Sequence, residues 1–323
     1  MFVFNFINII FYGYICYLIL KYLIPFLELN FISNPSSRDS HKLPTPTGGG
    51  ISILFSTIIY LILNFVFFKK SISNFDLLII FSMPMSILGI LDDKFNLKAS
   101  IRYIFQLITI IILILISNPL NIFSQVEIFP FQNFVIISFL IIASTAIINF
   151  INFMDGLDGL VGGVSIVLFS YFALTLNPNL WAMVGILIGF LYFNWSPSKV
   201  FMGDSGSIFI GALLVSVILD AKSTSQMLEF ILINTPLIAD SASCVIRRFS
   251  KNQNVFKAHK LHLYQRLNQA GWSHSNVSKL YIFSTLILTI TALYFNLLVL
   301  TMVAFLVILL GIYLDNKVAL KFN

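Results

Sequence analysis

The sequence predicts an all-α bundle of about eleven membrane-spanning helices, organised as a single domain over residues 1–323. Three observations indicate this class: the apolar content, the scarcity of charge and the recurrence of long apolar runs. Hydrophobic residues make up 58% of the chain, charged residues only 10%, and the mean hydropathy is +0.94. A soluble domain is about 25% charged, because its surface faces water. Lipid around the protein therefore accounts for the missing charge.

Each predicted span is an apolar run close to the roughly 20 residues that cross a bilayer. Residues 280–314 form a run that is too long for one helix, and we divide it at Tyr294-Phe295-Asn296. The predicted spans are 2–27, 48–67, 75–91, 100–117, 131–150, 159–176, 181–195, 206–220, 227–246, 279–297 and 298–315.

The basic residues predict how the bundle is oriented, because Lys and Arg accumulate in cytoplasmic loops. Fifteen of the 19 Lys and Arg residues fall in one set of alternate loops or at the adjoining span ends. This side is therefore predicted to be cytoplasmic, with the N-terminus outside and the C-terminus inside. The net charge of +6 is then a topology signal and not evidence for nucleic-acid binding.

The two cysteines, Cys16 and Cys244, both lie in apolar runs and are far apart in the chain. They are too few for a disulfide framework or a Cys-rich zinc motif. We expect both to be small residues of apolar segments, either in the core or facing lipid.

The aspartates in the predicted cytoplasmic loops indicate a site for a cation. Asp92, Asp93, Asp155, Asp158 and Asp204 all lie at cytoplasmic span ends or in the short loops beside them. Ionised carboxylates near lipid are unfavourable unless a partner neutralises them. Oxygen ligands with little His or Cys fit Mg²⁺.

Three short motifs contain these acids. Residues 91–93 read Leu-Asp-Asp, and repulsion between adjacent carboxylates can raise one pKa and make it a base, although a solvated loop is the alternative. Residues 149–160 hold two Asn and two Asp, with Gly after each Asp. Residues 202–207 read Met-Gly-Asp-Ser-Gly-Ser and open a helix whose free N–H groups can hold an anion, although Asp204 could be a plain N-cap.

A basic loop follows at 247–278. His259 and His262 are spaced i, i+3, so a helix would put them on one face. Their basic neighbours favour phosphate over metal, with a solvated loop as the alternative. A second polar loop contains His41, and His274 is expected at an ordinary loop surface.

Together these motifs resemble those of the polyprenyl-phosphate N-acetylhexosamine-1-phosphate transferases of glycosyltransferase family 4. The match runs in order from the loop at 41–50 to the loop at 259–267. The resemblance implies transfer of an N-acetylhexosamine-1-phosphate from a UDP-sugar to undecaprenyl phosphate, with release of UMP. It also implies a bacterial inner-membrane enzyme with a cytoplasmic site that initiates O-antigen or a related surface polysaccharide.

The resemblance further implies roles for single residues. Asp92 and Asp93 match an acidic pair that deprotonates or positions the lipid phosphate, and Asp155 matches an acid near the metal. Mg²⁺, with Mn²⁺ as a substitute, is implied at Asn152 and Asp204. The implied partners are a UDP-N-acetylhexosamine, undecaprenyl phosphate and membrane lipid; a homodimer is left open. The implied substrate-binding residues are Asn96, Arg102, Asp158, Asn194, Gly206, His259, His262 and Arg266.

One departure from the family pattern concerns the donor sugar. Residues 259–267 read His-Lys-Leu-His-Leu-Tyr-Gln-Arg-Leu, where many relatives have Asp-Arg-x-His-Leu-His-His-Arg-Leu. This form looks more like the O-antigen-initiating branch, some of whose members use 6-deoxy N-acetyl sugars. The alternatives are a peptidoglycan phospho-N-acetylmuramoyl-pentapeptide transferase and, in a different class, a lipid flippase or transporter. Transporters tend to carry polar residues near mid-membrane. In this chain the acids are instead predicted to crowd one face of the membrane.

Overall fold

The computed structural model describes residues 2–33, 44–67, 71–123, 131–255 and 259–322, and these ranges form an all-α membrane helix bundle. The loop with His41 lies largely outside the described residues. The helices are α1 (Phe2–Asn30), α2 (Gly50–Ile62), α3 (Asn74–Phe95), α4 (Ala99–Ser117), α5 (Leu120–Phe123), α6 (Gln132–Phe153), α7 (Leu160–Thr175), α8 (Trp181–Asn194), α9 (Asp204–Leu219), α10 (Thr224–Ile233), α11 (Thr235–Ser250), α12 (Leu263–Gln269), α13 (His274–Tyr294) and α14 (Leu297–Lys317).

A small hairpin joins the end of α1 to α2. Strands β1 (Ile32–Ser33) and β2 (Thr45–Pro46) pair antiparallel, with Ile32 opposite Pro46. A π-helical turn over Leu63–Phe67 extends α2, and a 3₁₀ turn over Pro178–Leu180 precedes α8.

Every predicted span coincides with a helix or a helix pair. Within the described ranges, six helices are long and apolar enough to cross a membrane, and a seventh span results if α10 and α11 are taken together. Four further apolar helices, α2 with its π-helical extension, α7, α8 with its 3₁₀ turn, and α9, are shorter than 18 residues. The break predicted near residue 295 is confirmed, because α13 ends at Tyr294 and Asn296 caps α14 by accepting a hydrogen bond from the Val299 N–H. The total of eleven spans and the orientation of the termini stay predictions.

The span predicted at 227–246 is bent in the structure. The segment consists of α10 and α11, which meet at an angle of 76°. Pro236 lies in the first turn of α11. A backbone N–H at this position would have no partner within the helix, so proline costs no hydrogen bond here. The side chain of Asn234 donates to the carbonyl oxygen of Phe230 at 2.8 Å and so satisfies a carbonyl near the end of α10.

Helix α9 is the centre of the bundle. All residues from Ser205 to Leu219 are buried, as expected for a helix that is apolar on every side. Helices α2, α3, α4, α6 and α10 pack around it. The position of Asp204, the first residue of α9, therefore depends on how these neighbours pack.

Small residues allow the neighbours to approach the first turn of α9 closely. A Cβ placed on Gly89 of α3 would lie 2.2 Å from the backbone oxygen of Asp204, and one on Gly50 of α2 would lie 2.1 Å from the backbone nitrogen of Gly206. The Ser86 hydroxyl of α3 also donates to the backbone oxygen of Ser205 at 2.7 Å. Such glycine and serine contacts are a common way for membrane helices to associate.

We expect Gly89→Ala to destabilise the protein by about 1–3 kcal/mol, because the new methyl group has to displace the backbone of α9. The thermal midpoint of the detergent-solubilised protein should fall accordingly. Gly311→Ala in α14 is the matched control, since its nearest new neighbour would be the Leu263 Cδ2 atom at 3.8 Å. Equal midpoints for the two variants would contradict this account of the packing.

Candidate active site

The loops that follow α3, α6 and α8 meet at the first turn of α9 and enclose a polar cavity. All three aspartate motifs contribute to it, together with the start of α13 and one residue of α12. Its polar lining residues include Thr47, Asp93, Asn152, Asp155, Asp158, Asn194, Asp204, Gln265 and His274.

Asp93 links α3 to α9. Its two carboxylate oxygens accept hydrogen bonds from the backbone N–H groups of Asp204, at 3.0 Å, and Ser205, at 3.2 Å. These N–H groups have no partner within their own helix, and the helix dipole favours a negative group there. Gly203 makes room for this contact: its φ is +71°, and a Cβ on it would lie 2.6 Å from Asp93 Oδ2.

Asp92 has a different environment from its neighbour. It is 6% exposed, and its oxygens accept from the backbone N–H of Leu97 at 2.8 Å and from Arg102 Nη1 at 2.6 Å. The same Arg102 nitrogen lies 3.7 Å from Asp204 Oδ2. Asn96 ends α3 in the left-handed conformation, with φ +48° and an exposed side chain. Asp92 thus positions Arg102 beside Asp204, and Asn96 forms the turn between them.

Asn152 and Asp155 face α9 from the other side of the cavity. The Asn152 Oδ1 atom accepts a hydrogen bond of 2.6 Å from the Ser207 hydroxyl, one turn into α9. Among the described residues, no hydrogen-bond donor contacts the Asp155 carboxylate. Burial raises the pKa of Asp155 well above its ordinary value of 3.8, and the negative charges of Asp204, Asp93 and Asp158 raise it further.

Asp158, in contrast, is well supplied with donors. His274 Nδ1 lies 3.2 Å from its Oδ2 atom, the Ser198 hydroxyl donates at 2.9 Å and the Ser198 N–H at 3.3 Å. Burial alone would raise the pKa of Asp158, but the hydrogen bond and charge of His274, with the Ser198 donors, outweigh it and lower the pKa. The expectation of a surface His274 is therefore wrong: this side chain is part of the cavity wall.

Two predicted substrate-binding residues, Asn194 and Gly206, make contacts within the framework of the cavity, and their binding role stays a prediction. The amide of Asn194 accepts from the Gly159 N–H at 3.1 Å and donates to the Val200 carbonyl at 2.9 Å, so it ties two loops together although it lines the cavity. Gly206 lies outside the lining residues, where a Cβ would be 2.3 Å from Met202 Cγ. Gly206 is needed for packing.

Arg266, a further predicted substrate-binding residue, is hydrogen-bonded within the protein, and its binding role stays a prediction. Its guanidinium donates to the carbonyl oxygens of Leu261 at 3.0 Å and Leu320 at 2.7 Å, and to the Asp315 carboxylate. Arg247 contacts the same carboxylate at 2.5 Å. Arg266 therefore fastens α12 to the C-terminal segment, and a substrate would have to replace these bonds.

His259 and His262 also lie outside the cavity lining. Their rings stack with centroids 5.0 Å apart, and His262 is 3% exposed. His262 Nδ1 lies 3.6 Å from Asp240 Oδ1. Asp240 accepts the backbone N–H groups of Leu263 and Tyr264 at 2.7 and 3.1 Å, which anchors the first turn of α12.

Tyr264 and Gln265 connect α12 to the cavity. The Tyr264 hydroxyl donates to the Phe153 carbonyl at 2.9 Å, and a Cβ on Gly156 would lie 2.1 Å from that hydroxyl. The next residue, Gln265, lines the cavity. These are the two positions where the sequence departs from the His-His of many relatives, so the departure coincides with the wall of the site.

The chemistry of the cavity fits Mg²⁺. Asp93, Asp155 and Asp204 together place three carboxylates around one space, with the Asn152 amide oxygen beside them. The nearest described cation, Arg102, is already paired with Asp92. Carboxylate and amide oxygens around uncompensated negative charge are the ligand set that Mg²⁺ prefers.

Comparison with known proteins agrees with this arrangement. Residues 75–222 match the sequence model of glycosyl transferase family 4. Over this segment, which is somewhat less than half of the chain, the protein is similar to that family. The matched segment contains every acid of the three motifs, whereas the loop with His259 and His262 lies beyond it.

Relatives with assigned activities extend the similarity further along the chain. A probable undecaprenyl-phosphate N-acetylglucosaminyl 1-phosphate transferase of Bacillus subtilis (strain 168) is 26% identical, over 77% of this chain and 72% of its own length. A phospho-N-acetylmuramoyl-pentapeptide-transferase of Bacillus mycoides (strain KBAB4) is 29% identical, over 79% and 86%. The corresponding enzyme of Staphylococcus saprophyticus is 28% identical, over 73% and 80%.

The opposite pKa shifts of Asp155 and Asp158 predict opposite effects of neutralising them. Because the pKa of Asp155 is raised on folding, its ionisation destabilises the metal-free fold above pH 3.8. Asp155→Asn should therefore raise the free energy of unfolding at pH 7 in a chelator, and with it the thermal midpoint, and this gain should vanish towards pH 4.

Asp158→Asn is the matched comparison. The pKa of Asp158 is lowered, so its charge stabilises the fold above 3.8, and that stability disappears as the pH falls through the folded pKa. This variant should lower the midpoint at pH 7. A lower midpoint for Asp155→Asn at every pH would show that the two carboxylates do not differ in this way.

Proposed function

We propose that this membrane protein transfers an N-acetylhexosamine-1-phosphate from a UDP-sugar to undecaprenyl phosphate and releases UMP. The observation that carries the proposal is the cavity in which three carboxylates and an amide face one another, while among the described residues only Arg102 forms an ion pair with one of these carboxylates. Two phosphate groups have to react in this space, and their mutual repulsion is the main barrier. A divalent cation and positive side chains in this cavity would lower that barrier, because they compensate the negative charge of the phosphates.

The residues of the cavity support a one-step displacement. Asp155, Asp204 and the Asn152 oxygen would hold Mg²⁺, which when bound neutralises the pyrophosphate. Asp93, the member of the acidic pair that lines the cavity, takes any remaining proton from the lipid phosphate. A lipid phosphate oxygen then bonds to the β-phosphorus, the bond from that phosphorus to the bridging oxygen breaks, and UMP leaves with that oxygen. Arg102, held by Asp92, stabilises the charge that develops.

We place the cavity on the cytoplasmic side of a bacterial inner membrane. Arg102, Arg247 and Arg266 lie near the same end of the bundle as the acids, and excess Lys and Arg mark cytoplasmic loops. UDP-sugars are cytosolic, so this orientation gives both substrates access to one site.

The proposed product initiates an O-antigen or a related surface polysaccharide. Gln265 at the cavity wall and Tyr264 beside it support this branch, because many relatives have His-His at these positions. A second candidate is the pentapeptide transferase reaction, which several relatives carry in their names. The two differ only in the donor that the cavity accepts.

The decisive experiment uses purified protein with undecaprenyl phosphate, Mg²⁺ and a panel of donors. The panel contains UDP-N-acetylglucosamine, UDP-linked 6-deoxy N-acetyl sugars and UDP-N-acetylmuramoyl-pentapeptide, and the readouts are UMP and lipid-linked product. We expect turnover with one N-acetyl sugar and none with the pentapeptide donor. Asp204→Asn should lower kcat by a factor of about 10² or more.

Asp220→Asn provides the matched control at the opposite end of α9. Asp220 follows the last residue of that helix and pairs with Lys222 at 2.9 Å, so the variant should keep full activity. Turnover of the pentapeptide donor would establish the second candidate. Release of UMP without lipid would replace the one-step route by a covalent one. Folded protein that turns over no donor would contradict the proposal.

A further inference from the structure

A second cluster of metal-ligating side chains lies outside the carboxylate cavity. Cys244 of α11, His259 and His262 each offer one ligand atom, and these atoms all lie within 4.8 Å of one another. Cys244 and His262 are 2% and 3% exposed, and His259 is half-buried. A thiol and two imidazoles, which are donor types that transition metals prefer, therefore converge at one point from two separate segments of the chain.

The spacing is close to that of a real site. Zinc bonds of about 2.0–2.3 Å place tetrahedral ligands roughly 3.3–3.8 Å apart. The distances between the three donor atoms thus need to shorten by about 1 Å. Rotations of the Cys244 side chain and of the half-buried His259 side chain can supply this change. A three-ligand site leaves a fourth position for water.

The surroundings orient His262 for this role. Its Nδ1 atom lies 3.6 Å from Asp240 Oδ1, which favours the proton on Nδ1 and leaves Nε2 as the nitrogen with a lone pair. A carboxylate behind a histidine is the usual arrangement at metal sites. The rings of Phe153 and Tyr264, with centroids 6.0 and 5.7 Å from His262, contribute apolar surface around it.

We propose that Cys244, His259 and His262 bind one Zn²⁺ ion that ties α11 to the segment before α12. This site goes beyond the proposed transferase function and does not depend on it. It is chemically separate from the carboxylate cavity, because thiolate and imidazole select Zn²⁺ whereas carboxylate and amide oxygens select Mg²⁺. Its structural effect would be to hold the first turn of α12, which places Tyr264 under the loop at 154–159.

The test is metal stoichiometry on full-length protein in detergent, purified without a polyhistidine tag. After removal of metal with a chelator and addition of Zn²⁺, we expect one ion per chain. Cys244→Ser and His259→Gln should bind it about tenfold more weakly or not at all. With Co²⁺ as the probe, the wild type should show a thiolate-to-cobalt charge-transfer band that Cys244→Ser lacks.

Two controls locate the ion. Cys16→Ser changes a buried cysteine in α1 that lies 3.6 Å from the Ser52 hydroxyl, and it should keep the zinc. Asp155→Asn should keep it as well, since that residue belongs to the other site. Folded wild-type protein without stoichiometric zinc, retention of zinc in Cys244→Ser, or its loss in Asp155→Asn would each overturn the proposal.

Discussion

Two hydrogen bonds from the first turn of α9 to Asp93 hold the structure of the site together. They satisfy backbone N–H groups that have no partner within α9, and they bring a carboxylate of α3 to the point where Asp204 begins α9. Because α9 is buried on all sides, this point is defined by every helix that packs against it. The position of Asn152 follows from it too, through the hydroxyl of Ser207.

The same arrangement brings several carboxylates close together, and their negative charges are compensated to different extents. Asp92 and Asp158 each have a basic partner and several donors, and both are fully committed to the framework. Asp155 has neither among the described residues, so its charge is unfavourable until a cation or a substrate complex compensates for it. A cavity with one poorly solvated carboxylate beside well-held ones is suited to binding a divalent cation. By itself, such a carboxylate does not stabilise the fold, because its buried charge is not compensated.

The helix α12 connects the site to the C-terminal part of the chain. Asp240 anchors its first turn, and Arg266 joins its last turn to Asp315 and the Leu320 carbonyl. The bend between α10 and α11 brings Asp240 to this position. Changes in the C-terminal segment can therefore reach Gln265 and the cavity wall without any contact to a substrate.

The sequence by itself determined the class of fold, the extent of almost every helix and the three acidic motifs. These are properties of apolar length and local spacing, and each is encoded within some twenty neighbouring residues. The departure at Tyr264 and Gln265 was likewise visible in the sequence. The bend at residue 234 was not foreseen, because the apolar run continues through it.

Only the tertiary structure decided which polar groups meet. It gave the adjacent residues Asp92 and Asp93 different partners, brought His274 to Asp158 and turned Arg266 towards Asp315. It also placed Gly206 in a helix contact and Cys244 beside two histidines. The physical reason is that hydrogen bonds and ion pairs in this bundle join residues from separate helices, whose relative positions come from packing and loop closure. Local sequence patterns carry no record of those distances.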